Sequence, residues 1–321
     1  MKDTQSALAK LREDLQTVII GQAALVDRLI IGLLTGGHLL LEGPPGLAKT
    51  TAVKALASGV HAHFQRIQFT PDLMPSDITG SDIFDPNTSE FKFSPGPLFN
   101  EMVLADEINR APPKVQSALL EAMGEHQVSV GSTTHPLPDL FFVMATQNPL
   151  EQMGTYPLPE AQLDRFLLHV VIDYPSNDNE LLILKRDRLT HFGDDNLLNS
   201  GLLQPEAILK ARRQIAEIHI EESLEKYVVN IVTATRDIEK IEPTWKDYID
   251  LPASPRASIS LLRAASALAY LNGHDYLTPD DVIEIAPDIL RHRIIPSFTA
   301  KANNITSDII VKKIIADVAI P

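Results

Sequence analysis

The sequence predicts an α/β domain with a largely parallel sheet, followed by a helical domain. Three observations carry this reading. Up to residue 173, short apolar runs alternate with helical patterns, the mark of strand–helix–strand crossover units. Tyr174-Pro175-Ser176-Asn177 then breaks the alternation, and beyond it no run reads as a strand. The length of 321 residues fits about two domains at roughly 100–200 residues each. The expected division is 1–173 and 174–321.

Five apolar runs are the expected strands: 38–41, 64–69, 102–105, 141–145 and 167–172. Helical patterns separate them at 49–58, 112–123 and 159–165. Val115, Leu119 and Met123 recur every four residues, which places them on one helix face. In the second half, 180–189, 205–218, 223–238, 255–271 and 279–290 read as amphipathic helices. Ser254-Pro255 and Thr278-Pro279 are start signals, because proline at the first helical position gives up no hydrogen bond.

Composition narrows the function classes. Lys plus Arg is 28 and Asp plus Glu is 42, so the net charge is −14. A surface this acidic argues against gripping nucleic acid or anionic membrane over a whole face. With no cysteine, thiol catalysis, disulfides and thiolate metal sites are excluded together. The apolar stretch 29–41 contains Gly32, Gly36, Gly37 and His38 and is shorter than the roughly 20 residues of a membrane-spanning helix. The N-terminus lacks the apolar core of a signal peptide, so a soluble, cytoplasmic protein is expected.

Chemistry-bearing residues cluster at the ends of the expected strands. The first strand runs into Gly43-Pro44-Pro45-Gly46-Leu47-Ala48-Lys49-Thr50, and a helix follows. Such a loop turns its N–H groups inward as a nest for phosphate oxygens, and the helix N-terminus adds its dipole. Lys49 would reach the β and γ phosphates, and the Thr50 hydroxyl would ligate Mg²⁺. The usual pattern has glycine before the lysine. Ala48 stands there instead, and a helical conformation would accommodate it. A plain Gly-Pro turn is the alternative.

The third strand ends in Asp106-Glu107. Adjacent carboxylates there are costly unless they meet a cation. Asp106 would serve the Mg²⁺ shell and Glu107 would orient the attacking water; a solvated turn is the alternative. The fourth strand ends in Thr146-Gln147-Asn148-Pro149, where open α/β sheets bind ligands. Asn148 would sense the γ-phosphate or position water, or else cap a turn. Arg165, after a short helical pattern, is either an arginine finger for a neighbouring subunit or a partner of Asp164 or Glu160. Arg256 falls in the first turn of a helix, where the dipole disfavours a cation. That suggests an intervening anion; a solvent-directed arginine paired with an acid is the alternative.

Taken together, these motifs resemble the MoxR family of AAA+ ATPases. The resemblance rests on 43–50, on Leu104-Ala105-Asp106-Glu107-Ile108-Asn109-Arg110-Ala111-Pro112-Pro113-Lys114-Val115-Gln116, on Ala145-Thr146-Gln147-Asn148-Pro149, and on 154–166 through Leu163-Asp164-Arg165-Phe166. It implies a five-stranded parallel αβα core followed by a helical lid. By this resemblance, ATP would be bound by Gly43, Pro44, Pro45, Gly46, Leu47, Ala48, Lys49, Thr50 and Thr51, with Ile20, Gly21 and Gln22 framing adenine. Thr50 and Asp106 would hold Mg²⁺. Glu107, Asn148, Arg165 and Arg256 would be the catalytic glutamate, first sensor, arginine finger and second sensor. The resemblance also implies a homo-oligomer, a hexameric ring, with chaperone-like action on a client and a partner carrying a von Willebrand factor A domain.

The family's branch carries two insertions, matched here at about 81–93 and 125–137. Helicases of that branch use basic hairpin residues on DNA. The second insertion has no Lys or Arg and the first has only Lys92, so the principal affinity for phosphate backbone is missing. A remodelling ATPase is therefore favoured over a DNA motor, and intact Lys49, Asp106 and Glu107 favour it over a nucleotide-gated binding module. His61 and His63 would share a strand face, as metal ligands or surface groups. Arg291-His292-Arg293 would be a subunit contact or a solvated helix end, and Trp245 a packing anchor.

Overall fold

The computed structural model describes residues 2–87, 89–148, 154–190 and 203–321. Two helices, α1 (Lys2–Val18) and α2 (Ala23–Thr35), precede β1 (Leu39–Glu42), α3 (Lys49–Gly59) and β2 (Phe64–Gln68). A short α4 (Pro75–Thr79) leads into the hairpin β3 (Gly80–Asp85) and β4 (Glu90–Pro95). Then come β5 (Met102–Asp106), α5 (Pro113–Glu125), a second hairpin of β6 (Gln127–Val130) and β7 (Thr133–Pro136), β8 (Phe142–Gln147), α6 (Glu160–Leu163) and β9 (Leu168–Val171).

Five strands form the main sheet in the order β2-β5-β8-β1-β9. Every neighbouring pair is parallel. β1, β5 and β8 lie inside the sheet and are covered on both faces, so they are almost continuously apolar. β2 is an edge strand and carries exposed Gln65, Arg66 and Gln68 around buried Ile67. Successive side chains point to opposite faces. Leu39 and Leu41 accordingly join one apolar cluster, with α1, α2 and α3, while Leu40 joins the other, with Val115, Leu119 and Met123 of α5.

The helical part comprises α7 (Asn177–Thr190), α8 (Pro205–Ile215), α9 (Glu222–Ala234), α10 (Pro255–Leu271), α11 (Pro279–Leu290), α12 (Phe298–Ala302) and α13 (Ser307–Asp317). The Thr278 start signal is realised as a capping box with Asp281. The larger apolar cluster continues from the sheet through α2 into α8–α11 and α13. A charged tie crosses the same boundary: Arg28 of α2 reaches Asp288 and Glu284 of α11, both at 2.8 Å. Burial opposes the Arg28 charge, and the two carboxylates more than offset it.

Several expectations need correction. The second half does contain strands, β10 (Ile249–Leu251) and β11 (Ile295–Pro296), paired antiparallel. They are too short to show an alternating pattern. Ala48 is not helical but left-handed, at φ 53°. His61 lies in a turn at φ 49° rather than on a strand face, and the His63 Nδ1 is 2.9 Å from the Glu101 carboxylate. Among the described residues no cluster of three or more metal-ligating side chains forms. Arg291, His292 and Arg293 are neither a solvated end nor a free patch. Arg293 is buried and held by Asp164 and the Phe166 carbonyl, His292 is buried, and Arg291 pairs with Asp288 and Asp308. Trp245 packs on the larger cluster and stacks on Tyr248. No helix among the described residues is long and apolar enough to cross a membrane.

His38, where α2 turns into β1, shows how far burial reaches. Its Nδ1 accepts from the Val143 N–H (3.1 Å) and its Nε2 faces the Met123 carbonyl (3.2 Å), which fixes the Nε2–H tautomer. Burial pushes its pKa down to about 3. The unfolded chain therefore takes up a proton that the folded one refuses. The stabilising contribution is complete above pH 6.5 and is lost as pH falls toward 3. Denaturant unfolding should show about 2 kcal/mol lost from this group between pH 7 and pH 5, and His38→Asn should flatten that part of the profile.

Candidate functional site

The parallel sheet brings the carboxyl ends of all five strands to one rim, and the loop after β1 arches over it. Gly43 opens that loop against the residue that follows β9, where a Cβ would stand 2.5 Å from Cγ1 of Ile172. Gly46 turns at φ +85°, a conformation that side chains resist. Ala48 is the N-cap of α3, and its carbonyl accepts from the Ala52 N–H at 2.9 Å. Lys49 folds back so that Nζ donates to the Gly43 carbonyl. Burial lowers the Lys49 pKa, against the pull of Asp106, Glu107 and Glu42. Glu42 hydrogen-bonds His169 at 2.9 Å, which holds its carboxyl below the usual range.

The end of β5 is tied to the end of β8 through one hydroxyl. The Thr146 Oγ1 donates to Asp106 Oδ1 (2.6 Å) and accepts from the Glu107 N–H (2.9 Å). Glu107 itself is left-handed, at φ 58°. Its Oε2 accepts from Gln68 Nε2 (2.7 Å) and lies 3.1 Å from Arg110 Nε. Left-handed backbone at a non-glycine residue costs roughly 1–2 kcal/mol. Here the side-chain bonds on either side of Glu107 hold it.

Two cavities meet at the loop. One, of about 310 Å³, is largely apolar and is lined by Val18, Ile19, Ile20, Gln22, Tyr174, Pro175 and Ile183. The other, of about 450 Å³, is lined by Lys49, Thr50, Thr51, Arg66, Asp106, Glu107, Thr146, Gln147 and Asn148. Pro45, Gly46, Leu47 and Ala48 border both. Gly43 and Pro44 line neither; they set the exit from β1. Gly21 lines neither but forms the tight turn between α1 and α2 at φ +78°, against Asn179. Gln22 donates to the Asp173 carbonyl at 3.0 Å.

Arg165 and Arg256 line neither cavity. Arg165 is exposed and donates to the Leu120 carbonyl at 2.6 Å, not to Asp164 or Glu160. It borders a separate surface depression with Ser117, Glu121 and Glu125. Arg256 is exposed, its Nη1 3.5 Å from Asp164. Asp164 also receives the buried Arg293 at 2.8 Å. Pro149 of the fourth motif lies outside the described residues.

Beyond the site residues expected from the sequence, Arg66, Thr146, Tyr174, Pro175 and Ile183 line the cavities and Gln68 bonds Glu107. A polar pair two apart at the end of a strand, Arg66 and Gln68, was the available signal. The apolar residues come from distant segments and gave none.

The donor set suits a hard divalent cation: the hydroxyl-bearing Thr50 and the Asp106 carboxylate line one cavity, all ligands are oxygen, and there is room for water. A Lys-bearing nest beside an apolar recess suits a nucleoside polyphosphate.

Comparison with known proteins gives the same class. Residues 38–168 match the model of the ATPase family associated with various cellular activities (AAA), and residues 245–314 match the AAA lid domain. The chain is 46% identical over 309 residues to chaperone MoxR1 of Mycobacterium tuberculosis, covering 96% of this chain and 81% of that protein. It is 43% identical to YeaC of Bacillus subtilis, over 100% and 97% of the two chains. A solved structure, a candidate ATPase from Cytophaga hutchinsonii, superposes with a TM-score of 0.91 at 44% identity, over 99% and 96% of the chains. The chain belongs to the MoxR family of AAA+ ATPases.

Thr146→Val keeps the side-chain shape but strips the hydroxyl from both Asp106 and the Glu107 N–H. Unfolding free energy should fall by about 1–3 kcal/mol, as read by denaturant titration, while Thr146→Ser should stay near wild type.

Proposed function

We propose that this protein hydrolyses ATP with Mg²⁺ and uses the cycle to remodel or assemble a client protein. The observation that carries the reading is the meeting of an apolar recess and a Lys-, Thr- and carboxylate-lined cavity at the loop 45–48. Adenine is assigned to the recess beside Ile20 and Gln22, and the phosphates to the nest and Lys49. Thr50 and Asp106 would hold the metal, which supplies charge neutralisation across the β and γ phosphates. Glu107 would orient the attacking water and Asn148 would read the γ-phosphate. Since no covalent chemistry is required, the protein's contribution is positioning and preorganised charge.

Arg165 and Arg256 lie away from this cavity, so their assigned roles require arrangements between copies or between domains. Arg165 on an outer face fits a finger offered to a neighbouring subunit in a ring. Arg256, the exposed partner of the largely covered Asp164, fits a lid residue that exchanges that carboxylate for a phosphate. A hexamer, and cooperation with a von Willebrand factor A domain partner in assembly or metal-cofactor insertion, complete the proposal. The name of the Mycobacterium tuberculosis relative, a chaperone, supports the direction.

Between a protein client and DNA, the hairpins favour protein. β6–β7 carries no Lys or Arg, and Lys92 on β4 is paired with Asp85 at 2.8 Å. The first hairpin instead exposes Ile83, Phe84 and Phe91. Phe93 stacks on His135 at 3.8 Å, so the two hairpins pack together.

Glu107→Gln should bind ATP with near wild-type affinity and release phosphate about 10²–10⁴-fold more slowly. Equal phosphate release from the two proteins would overturn the catalytic assignment. For the ring, Arg165→Ala and Lys49→Ala should each be nearly inactive. Mixed, they should regain activity through interfaces that join an intact Lys49 to a neighbour's Arg165. No recovery at any mixing ratio would count against a finger acting between subunits.

A further inference from the structure

Arg66 has no part in the phosphate-loop mechanism above, yet it occupies the same cavity as Lys49, Thr50 and Asp106. It lies on the edge strand β2, whose neighbour in the sheet is β5. Its Nε (3.0 Å) and Nη2 (2.5 Å) both donate to Asp106 Oδ2. The other oxygen, Oδ1, is taken by the Thr146 hydroxyl. Arg66 Nη2 also donates to Gln68 Oε1 at 2.8 Å, which braces the guanidinium in this pose.

We propose that Arg66 is the internal counter-cation of Asp106 in the nucleotide-free protein, and that a divalent metal arriving with nucleotide must displace it. The inference rests on the metal–nucleotide reading of the site and extends it to a residue that sets metal affinity.

Three features support the exchange. The carboxylate oxygen not engaged by Thr146 is the one the arginine holds, so metal and Arg66 compete for one atom. The two partners differ in exposure: the Asp106 side chain is 16% exposed and that of Arg66 49%. The guanidinium can therefore leave into water, whereas the carboxylate cannot, and this gives the exchange a direction. Charge points the same way. A guanidinium and a divalent ion held at the same Asp106 oxygen would repel each other at short range, which opposes simultaneous occupancy. An ordinary surface ion pair on an edge strand would not share its carboxylate with the phosphate cavity.

The consequence is a protein whose metal affinity is reduced by its own arginine. The test titrates Mn²⁺ into a one-to-one complex of protein and ADP and reads free Mn²⁺ by electron paramagnetic resonance. Arg66→Gln should tighten Mn²⁺ binding about fivefold, the worth of a partly exposed ion pair. Arg66→Lys, which keeps the charge but loses the fork, should fall between Arg66→Gln and wild type. In an Asp106→Asn background the tightening should vanish, because the contested oxygen is gone. Unchanged or weaker Mn²⁺ binding by Arg66→Gln, or tightening that persists in Asp106→Asn, would overturn the proposal. If wild type binds neither ADP nor Mn²⁺–ADP, the nucleotide reading falls and this inference with it. If wild type binds both and Arg66→Gln matches it, the displacement of Arg66 alone is refuted.

Discussion

Every neighbouring strand pair in the main sheet runs parallel, and the chemistry of the protein depends on that constraint. A parallel sheet cannot be made with tight hairpins, so each crossover carries the chain from the carboxyl end of one strand back to the amino end of the next. The carboxyl ends then converge on one rim. Glu42, Gln68, Asp106 and Gln147 are strand-terminal residues, and all are neighbours there although they span more than 100 positions of sequence. The interior strands are buried on both faces, so polar groups concentrate where the strands end. The site is thus a result of how the sheet buries its apolar residues.

Convergence alone would leave two carboxylates close together at the end of an apolar strand. The Thr146 hydroxyl resolves part of this by bonding Asp106 and the Glu107 N–H together. Lys49, Arg66 and Arg110 supply the positive charge. The left-handed residues Ala48 and Glu107 lie at the two ends of this arrangement. Strain concentrated at such points is typical of sites held ready for a ligand. It persists here because the flanking elements are packed into the two apolar clusters.

A second set of buried charges joins the α/β body to the helices. Arg28 reaches α11 from α2, and Arg293 reaches Asp164 and the Phe166 carbonyl just before β9. Breaking a buried pair leaves an uncompensated charge, so these contacts oppose separation of the two parts. Asp164 receives both the buried Arg293 and the exposed Arg256. It therefore links the helical part to the segment bearing Arg165.

Much of the architecture was legible in the sequence, because apolar runs alternating with helical spacing have few other solutions. The five strands, the loop 43–50 and the carboxylates Asp106 and Glu107 could be read from local pattern, whereas the two insertions followed from the resemblance to the MoxR family. Short or strained features could not. β10 and β11 are too brief to alternate, and the backbone at Ala48 depends on its loop rather than on alanine's own preference. Arg291, His292 and Arg293 look like a solvated cluster because a sequence shows charge but not what packs against it. The sequence by itself determined which polar and charged groups are present and which strand ends carry them. Only the tertiary structure decided their partners. It set Arg66 on Asp106, Gln68 on Glu107, Arg256 on Asp164 and Arg165 away from the cavity, because those pairings depend on strand order and domain docking, and neither is a local property of the chain.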